Sequence, residues 1–206
     1  MSVTVVDHPL AQHYLTHLRD ATTKPALFRT LTRKLATLLA VEASRDLRTA
    51  KTPIATPLEE VWAQVIVEPI AVVPILRAGL GMLDGIVDLF PDVSVGYIGL
   101  ERDENTAIAS SYYQKLPDLA GCLVFLVDPM LATGGSAVTA LQGIYAAGAD
   151  RVVLLCVVAA PEGVRAVQES FPQTRIYTAA VDRELDARKY ILPGLGDFGD
   201  RLYGTL

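Results

Sequence analysis

Three short stretches carry residue types that could do chemistry together. The first, Phe125–Ala137, reads FLVDPMLATGGSA: an apolar run ends on Asp128 and turns through Pro129, Met130, Leu131, Ala132, Thr133, Gly134 and Gly135 to Ser136. A strand ending at Val127 would hold Asp128 at the carboxyl edge of a sheet. Pro129 fixes its own φ and lacks a donor, and the two glycines let successive N–H groups converge on one hollow. A helix opening at Ser136 adds unpaired donors and the positive end of its dipole. The combination forms a phosphate cradle, with the Thr133 and Ser136 hydroxyls as further donors. Asp128 beside it can accept hydrogen bonds from vicinal hydroxyls. Phosphate plus diol means a ribose phosphate. An ordinary strand–turn–helix corner is the competing reading; a Walker-type loop is not, because no GK[ST] follows.

The second stretch is VVPILRAGLGM at 72–82, where Arg77 directly follows an apolar strand and faces glycines. An arginine there can clamp phosphate oxygens with a fork that lysine cannot copy. The third is the tail YILPGLGDFGDRLYGT at 190–205, which contains a formal GxGxxG at Gly194, Gly196 and Gly199. As a dinucleotide fingerprint it fails, since too little chain follows to build a βαβ unit.

Elements able to position these stretches are legible in the apolar spacing. Helices are expected over Pro9–Asp20 and Pro25–Leu47, after which two prolines in KTPIATPL imply an extended arm or turn, then a strand at Val61–Val67. Apolar strands follow at Ile70–Ile75, Val93–Leu100, Cys122–Val127, Arg151–Val158 and Arg175–Val181. Helical stretches fall between several of them, at Gly79–Phe90, Ser136–Ala147 and Glu162–Ser170. Strands apolar on both faces and alternating with helices predict an α/β fold, a mainly parallel sheet flanked by helices with a helical N-terminal extension. All 206 residues are read as one domain. Glu101–Lys115 and the tail from Asp182 read as irregular. Ligands bind beyond the carboxyl ends of such strands, so both segments are candidates for function.

Composition narrows the field. A formal charge of −5 argues against a nucleic-acid binder, which needs a basic face. No apolar run is long enough for a membrane span, and no secretory signal is visible at the N-terminus. Cys122 and Cys156 lie in apolar runs and read as buried thiols, which suits a cytoplasmic protein. A mean hydropathy of +0.34 predicts apolar surface covered by another subunit. His13 and His17 are spaced as a helical metal pair, but Tyr14 replaces the glutamate of HExxH and no third ligand is evident. Trp62 reads as core or interface.

The FLVDPMLATGGSA stretch resembles the loop of type I phosphoribosyltransferases that binds 5-phosphoribosyl 1-pyrophosphate (PRPP), in the form found in the uracil phosphoribosyltransferase family. The likeness extends through VVPILRAGLGM, ERDE at 101–104 and the tail, in the family's order and spacing. It implies a type I phosphoribosyltransferase fold whose C-terminal segment binds the base. It also implies a glycosyltransferase (pentosyltransferase) that makes UMP and diphosphate from uracil and PRPP. On that resemblance Arg77 and Arg102 contact PRPP, as do Asp128 through Ser136 and Asp197, with Mg²⁺ carried by PRPP rather than ligated directly by the protein. Ile191, Gly196 and Phe198 are expected to offer two N–H groups and one carbonyl to uracil, with Asp197 beside them. Arg77 and Asp197 are the catalytic candidates. Relatives with an acid before the Thr-Gly of the loop have a base candidate there; Ala132 removes it, which leaves Asp197 for proton handling or for PRPP. Glu101–Lys115 would close as a lid. Phe198, larger than the alanine of many relatives, is expected to alter packing rather than base choice. A homodimer is the expected assembly, and GTP is a candidate activator because some relatives respond to it. Two rival readings are a PRPP-sensing nucleic-acid regulator, for which no basic face is evident, and a transferase for another base, against which the tail motif argues.

Overall fold

The computed structural model describes residues 3–102 and 109–205. The chain begins with a strand that sequence spacing did not predict, β1 (Val3–Val5), followed by α1 (Pro9–Arg19) and α2 (Pro25–Ala43). Each helix has proline in its first turn, where a missing N–H costs nothing. Next comes a hairpin, β2 (Thr49–Ala55) and β3 (Glu60–Ile66), paired antiparallel with Pro53 opposite Trp62. The proline-broken segment is therefore a strand, and the hairpin forms its own two-stranded sheet.

The parallel core starts at β4 (Ile70–Leu76), which leads into α3 (Leu80–Val87). The single strand expected over Val93–Leu100 is two, β5 (Ser94–Val95) and β6 (Tyr97–Arg102). They separate at Gly96, where a Cβ would come within 2.9 Å of Leu116 and Pro117. β7 (Ala109–Lys115) then returns antiparallel beside β6. Most of the stretch expected to be irregular is thus paired strand on both sides of residues 103–108, and the lid expectation centres outside the described residues. Its residues 112–115 are all exposed, so this part of the strand presents no apolar face that alternation could reveal.

β8 (Leu123–Val127) and the two-residue β9 (Met130–Leu131) precede α4 (Gly135–Ala146), and β10 (Arg151–Ala159), α5 (Pro161–Ser170) and β11 (Arg175–Val181) complete the core. The tail is less irregular than its glycines imply: β12 (Glu184–Leu185) pairs with β13 (Ile191–Leu192), and α6 (Phe198–Tyr203) ends the chain.

In the main sheet the order is β1-β11-β10-β8-β4-β6-β7, with β5 against β4 and β9 against β10. Every pairing is parallel except β6 with β7. Successive residues of the central strands serve opposite layers, as a period of two requires. Phe125, Val127, Val153 and Leu155 pack toward α1, α2, α3 and α6, whereas Val124, Leu126, Val152 and Leu154 pack toward α4 and α5. A two-sided α/β sandwich results, and the N-terminal helices share one face of its sheet with α3 and α6.

Candidate active site

β4 and β8 are adjacent and parallel, so their carboxyl ends open onto the same edge. Beyond β8 the main chain stays tied to β10: Asp128 N–H donates to Leu155 O at 3.1 Å, and Pro129 O accepts from Val157 N–H at 3.0 Å. The loop is anchored again where Ala160 N–H donates to Leu131 O at 2.8 Å. Gly134, with φ +85°, turns the chain into α4 as its N-cap and supplies no capping side chain. A Cβ on Gly134 would meet Ala166 Cβ at 2.8 Å and Gly163 O at 2.9 Å, so both conformation and space demand glycine. The first turn of α4 thereby offers N–H donors to the hollow. Thr133 Oγ1 accepts from Gly135 N–H at 3.4 Å.

The seat of this loop was not anticipated. Gly163, in the first turn of α5, lies so close beneath it that a Cβ would approach Ala132 O at 2.6 Å and Leu131 O at 2.8 Å. A glycine at the start of the helix following β10 is the only sequence sign of that contact.

Arg77 follows β4 after a cis Leu76–Arg77 peptide. Its carbonyl accepts a hydrogen bond from the Tyr203 hydroxyl at 3.0 Å, and its guanidinium lies 5.9 Å from the Tyr203 ring centroid. Burial pushes the Tyr203 phenol above its ordinary value, opposed by the Arg77 charge. Tyr203 belongs to α6, so the arginine loop and the tail support each other. Gly79 packs against the end of β8, where a Cβ would come within 2.5 Å of Val127 O.

The tail arches over the same edge. Leu192–Pro193 is cis, and Gly194 and Gly196 adopt φ of +58° and +78°. Asp197 caps α6, its Oδ1 accepting from Asp200 N–H at 2.9 Å. The Phe198 ring is buried edge-on against Phe28, 5.0 Å between centroids. Its side chain serves packing, as expected, while its residue still borders the hollow.

One cavity of about 340 Å³ unites these parts. Arg77, Asp128, Met130, Ala132 and Ser136 line it from the sheet edge, and Ile191, Gly196, Asp197 and Phe198 line it from the tail. Pro129, Leu131, Thr133, Gly134 and Gly135 are absent from that lining and shape the loop around it. Arg102 ends β6, opposite Ala109. Residues that sequence reasoning missed also border the cavity: Leu100, Arg188, Lys189 and Tyr190. The last three form a tight turn in which Asp186 Oδ1 accepts from Arg188 N–H at 2.8 Å and Tyr190 N–H at 2.9 Å. Lys189 has φ +68° there, and the Arg188 guanidinium lies 5.5 Å from the Tyr190 ring centroid. Two cations immediately before the tail motif were the available signal.

Among the discounted residues, the His13 and His17 rings meet edge to face at 4.7 Å. Among the described residues no group of three or more His, Cys, Asp and Glu side chains could hold a metal. Cys122 and Cys156 are buried and unbonded to each other, and burial pushes the Cys156 thiol up to about 12.

Comparison with known proteins agrees with this geometry. A family model described as uracil phosphoribosyltransferase matches residues 5–205. The chain is 50% identical over 211 residues to the uracil phosphoribosyltransferase of Kineococcus radiotolerans, covering 100% of both. It is 50% identical over 205 residues to that of Symbiobacterium thermophilum, covering 98% of both. Among solved structures it superimposes on a protein from Aquifex aeolicus with a TM-score of 0.94 at 37% identity, covering 98% of this chain and 97% of that one. An adenine phosphoribosyltransferase from Trypanosoma brucei shares the fold, with a TM-score of 0.59 at 12% identity over 95% of this chain and 88% of that one.

Proposed function

This chain belongs to the uracil phosphoribosyltransferase family, and we propose that its sheet-edge cavity joins N1 of uracil to C1 of the PRPP ribose. The C1–oxygen bond to diphosphate breaks, the N1–C1 bond forms, the uracil N1 proton is lost, and UMP and diphosphate leave. One observation carries the reading: a phosphate-cradling loop and a glycine-bent tail, distant in sequence, line the same cavity.

Residue roles follow from position. Gly134, Gly135, Ser136 and Thr133 hold the 5′-phosphate with N–H and hydroxyl groups at the start of α4. Asp128 accepts from the ribose hydroxyls, with Pro129, Met130, Leu131 and Ala132 setting the curve of the loop. Arg77, with Arg102, binds the diphosphate, whose negative charge grows as the sugar becomes oxocarbenium-like. Arg188 and Lys189 at the rim add positive charge on the approach of the donor.

The main chain at Ile191, Gly196 and Phe198 presents two N–H groups and a carbonyl to uracil O4, N3–H and O2. Cytosine would set donor against donor, and each unpaired group costs about 1–3 kcal/mol. A backbone cannot change tautomer, so the selectivity is built in. Asp197 adjoins both substrates, but its Oδ1 is already engaged as a helix cap. Its free acceptor capacity fits either PRPP binding or proton handling.

The cavity's carboxylates, Asp128 and Asp197, are separate hard oxygen donors and fit a Mg²⁺ that arrives on the PRPP phosphates. When bound, that ion neutralises phosphate charge and so favours departure of diphosphate.

We also assign a homodimer, the whole chain acting as one domain in each protomer. The β2–β3 hairpin supports this. A lone two-stranded ribbon is marginal in water, yet this one exposes 71% of Trp62 along with Ile54, Val65 and Ile66. Trp62 is thus not core, and this exposed apolar ribbon supports a second copy of the chain as its cover. The reading includes cytoplasmic action, which suits two unpaired cysteines, and GTP as a candidate activator. Incubation of purified protein with PRPP, Mg²⁺ and uracil, cytosine, orotate or hypoxanthine, with and without GTP, tests the whole. UMP confined to uracil supports the reading; PRPP binding without turnover of any base rejects it.

A further inference from the structure

Behind the tail, outside the cavity, an ion pair grips a single residue of the main chain. Asp182 follows β11 and is only 8% exposed. Its N–H donates to Ala159 O at 2.8 Å, which fixes it to the end of β10. Its carboxylate accepts from both terminal nitrogens of Arg19, at 2.8 and 2.5 Å, and Oδ2 also accepts from Gly194 N–H at 2.9 Å. Arg19 Nη1 donates in turn to Gly194 O at 2.7 Å. Both polar groups of Gly194 are therefore held, one by each member of the pair.

The next carbonyl is held as well. Arg201, buried in α6, donates to Leu195 O at 2.7 Å, to Asp20 O at 2.6 Å and to Leu18 O. Two guanidiniums thus lock main chain 194–195 to the C-terminal end of α1. Gly194 folds back so closely that a Cβ would come within 2.1 Å of Ile191 O. Gly196, two residues on, lines the cavity. The gripped residue lies between Ile191 and Gly196, two of the three positions read as facing the base.

We propose that Arg19 and Asp182 are positioning residues for the nucleobase, setting from behind the distance at which the Ile191–Gly196 main chain meets uracil. The proposal rests on the reading of that segment as the base-binding surface. On that reading the base edge is met by main-chain groups, so the placement of the backbone sets how well they pair with it. Removing Arg19 leaves a buried carboxylate without its cation and Gly194 O without its donor. Those losses act on the tail and leave the α4 cradle untouched. A mere structural staple would instead lower stability and shift all kinetic constants together.

The test is steady-state kinetics on full-length Arg19→Met, Arg19→Lys and Asp182→Asn, with thermal melts to confirm folding and 3-methyluracil as a control base. The uracil KM should rise about tenfold or more, while the PRPP KM stays within about twofold, because the lost contacts bind the base and not the donor. Arg19→Lys, charged but without the fork, should recover part of the loss. An unchanged uracil KM in Arg19→Lys and Asp182→Asn, or equal rises in both KM values, overturns the proposal. Should wild-type protein use 3-methyluracil as readily as uracil, the base-binding reading of the tail fails first, and the two failures are told apart.

Discussion

At the scale of single residues the sharpest assignment is Asp128. It stands where β8 gives way to the loop, half-buried and lining the cavity. On the proposed ribose contact, Asp128→Asn keeps the shape but removes the charge that would strengthen hydrogen bonds from the hydroxyls. Losing one charge-assisted bond predicts a rise in PRPP KM of about tenfold, with uracil KM little changed. Initial rates at varied PRPP check this, and an unaltered KM would remove Asp128 from the ribose site. Residue type made Asp128, Arg77 and the loop glycines legible without coordinates. Gly163 was not, because its importance lies in a contact between α5 and loop carbonyls about thirty residues earlier in the chain.

At the scale of elements, α5 is the platform on which the phosphate loop rests. Gly163→Ala forces a methyl group into the Leu131 and Ala132 carbonyl oxygens, which are main-chain atoms with little freedom to yield. Overpacking of this kind costs about 1–3 kcal/mol. The expected outcome is a lower melting temperature together with a raised PRPP KM; a normal KM would show that the loop is indifferent to its seat. Element boundaries in the core were readable because strands buried on both faces are apolar throughout. β7 and the β12–β13 pair escaped notice. β7 is exposed from Tyr112 to Lys115 and presents no apolar face, and β12 and β13, two residues each, are too short to show a period. β1 is only three residues long and binds the far edge of the sheet through β11.

At the scale of the whole molecule, two features sit at the end of the sheet away from the cavity. The hairpin is held at its base by Glu68, which accepts from Arg48 N–H at 3.1 Å and from Arg151 Nη1 at 2.8 and 2.9 Å. Burial alone pushes the Glu68 carboxyl up, but the Arg48 N–H and the Arg151 guanidinium outweigh it and hold it below the ordinary carboxylate range. A depressed folded pKa contributes stability that is present above the unfolded value and lost as pH falls through the folded one. Glu68→Gln should therefore melt below wild type at neutral pH, with the gap closing below about pH 4. A gap independent of pH would exclude the linkage. The hairpin itself bears on assembly: Trp62→Glu places a charge on the exposed apolar ribbon and should shift a dimer toward monomer in sedimentation. Unchanged sedimentation would place the interface elsewhere.

The order of apolar strands and helices, the carboxylate at a strand end and the glycines after it were determined by sequence alone, since local conformation and burial follow from residue type and spacing. Their resemblance to a known set of motifs added the substrates. Tertiary structure decided which segments share the cavity, that Arg188 and Lys189 reach its rim, and that α1 grips the tail through Arg19 and Asp182. Those are contacts between residues far apart along the chain, and no periodicity records them, because a hydrogen bond depends on where the folded backbone brings its two ends.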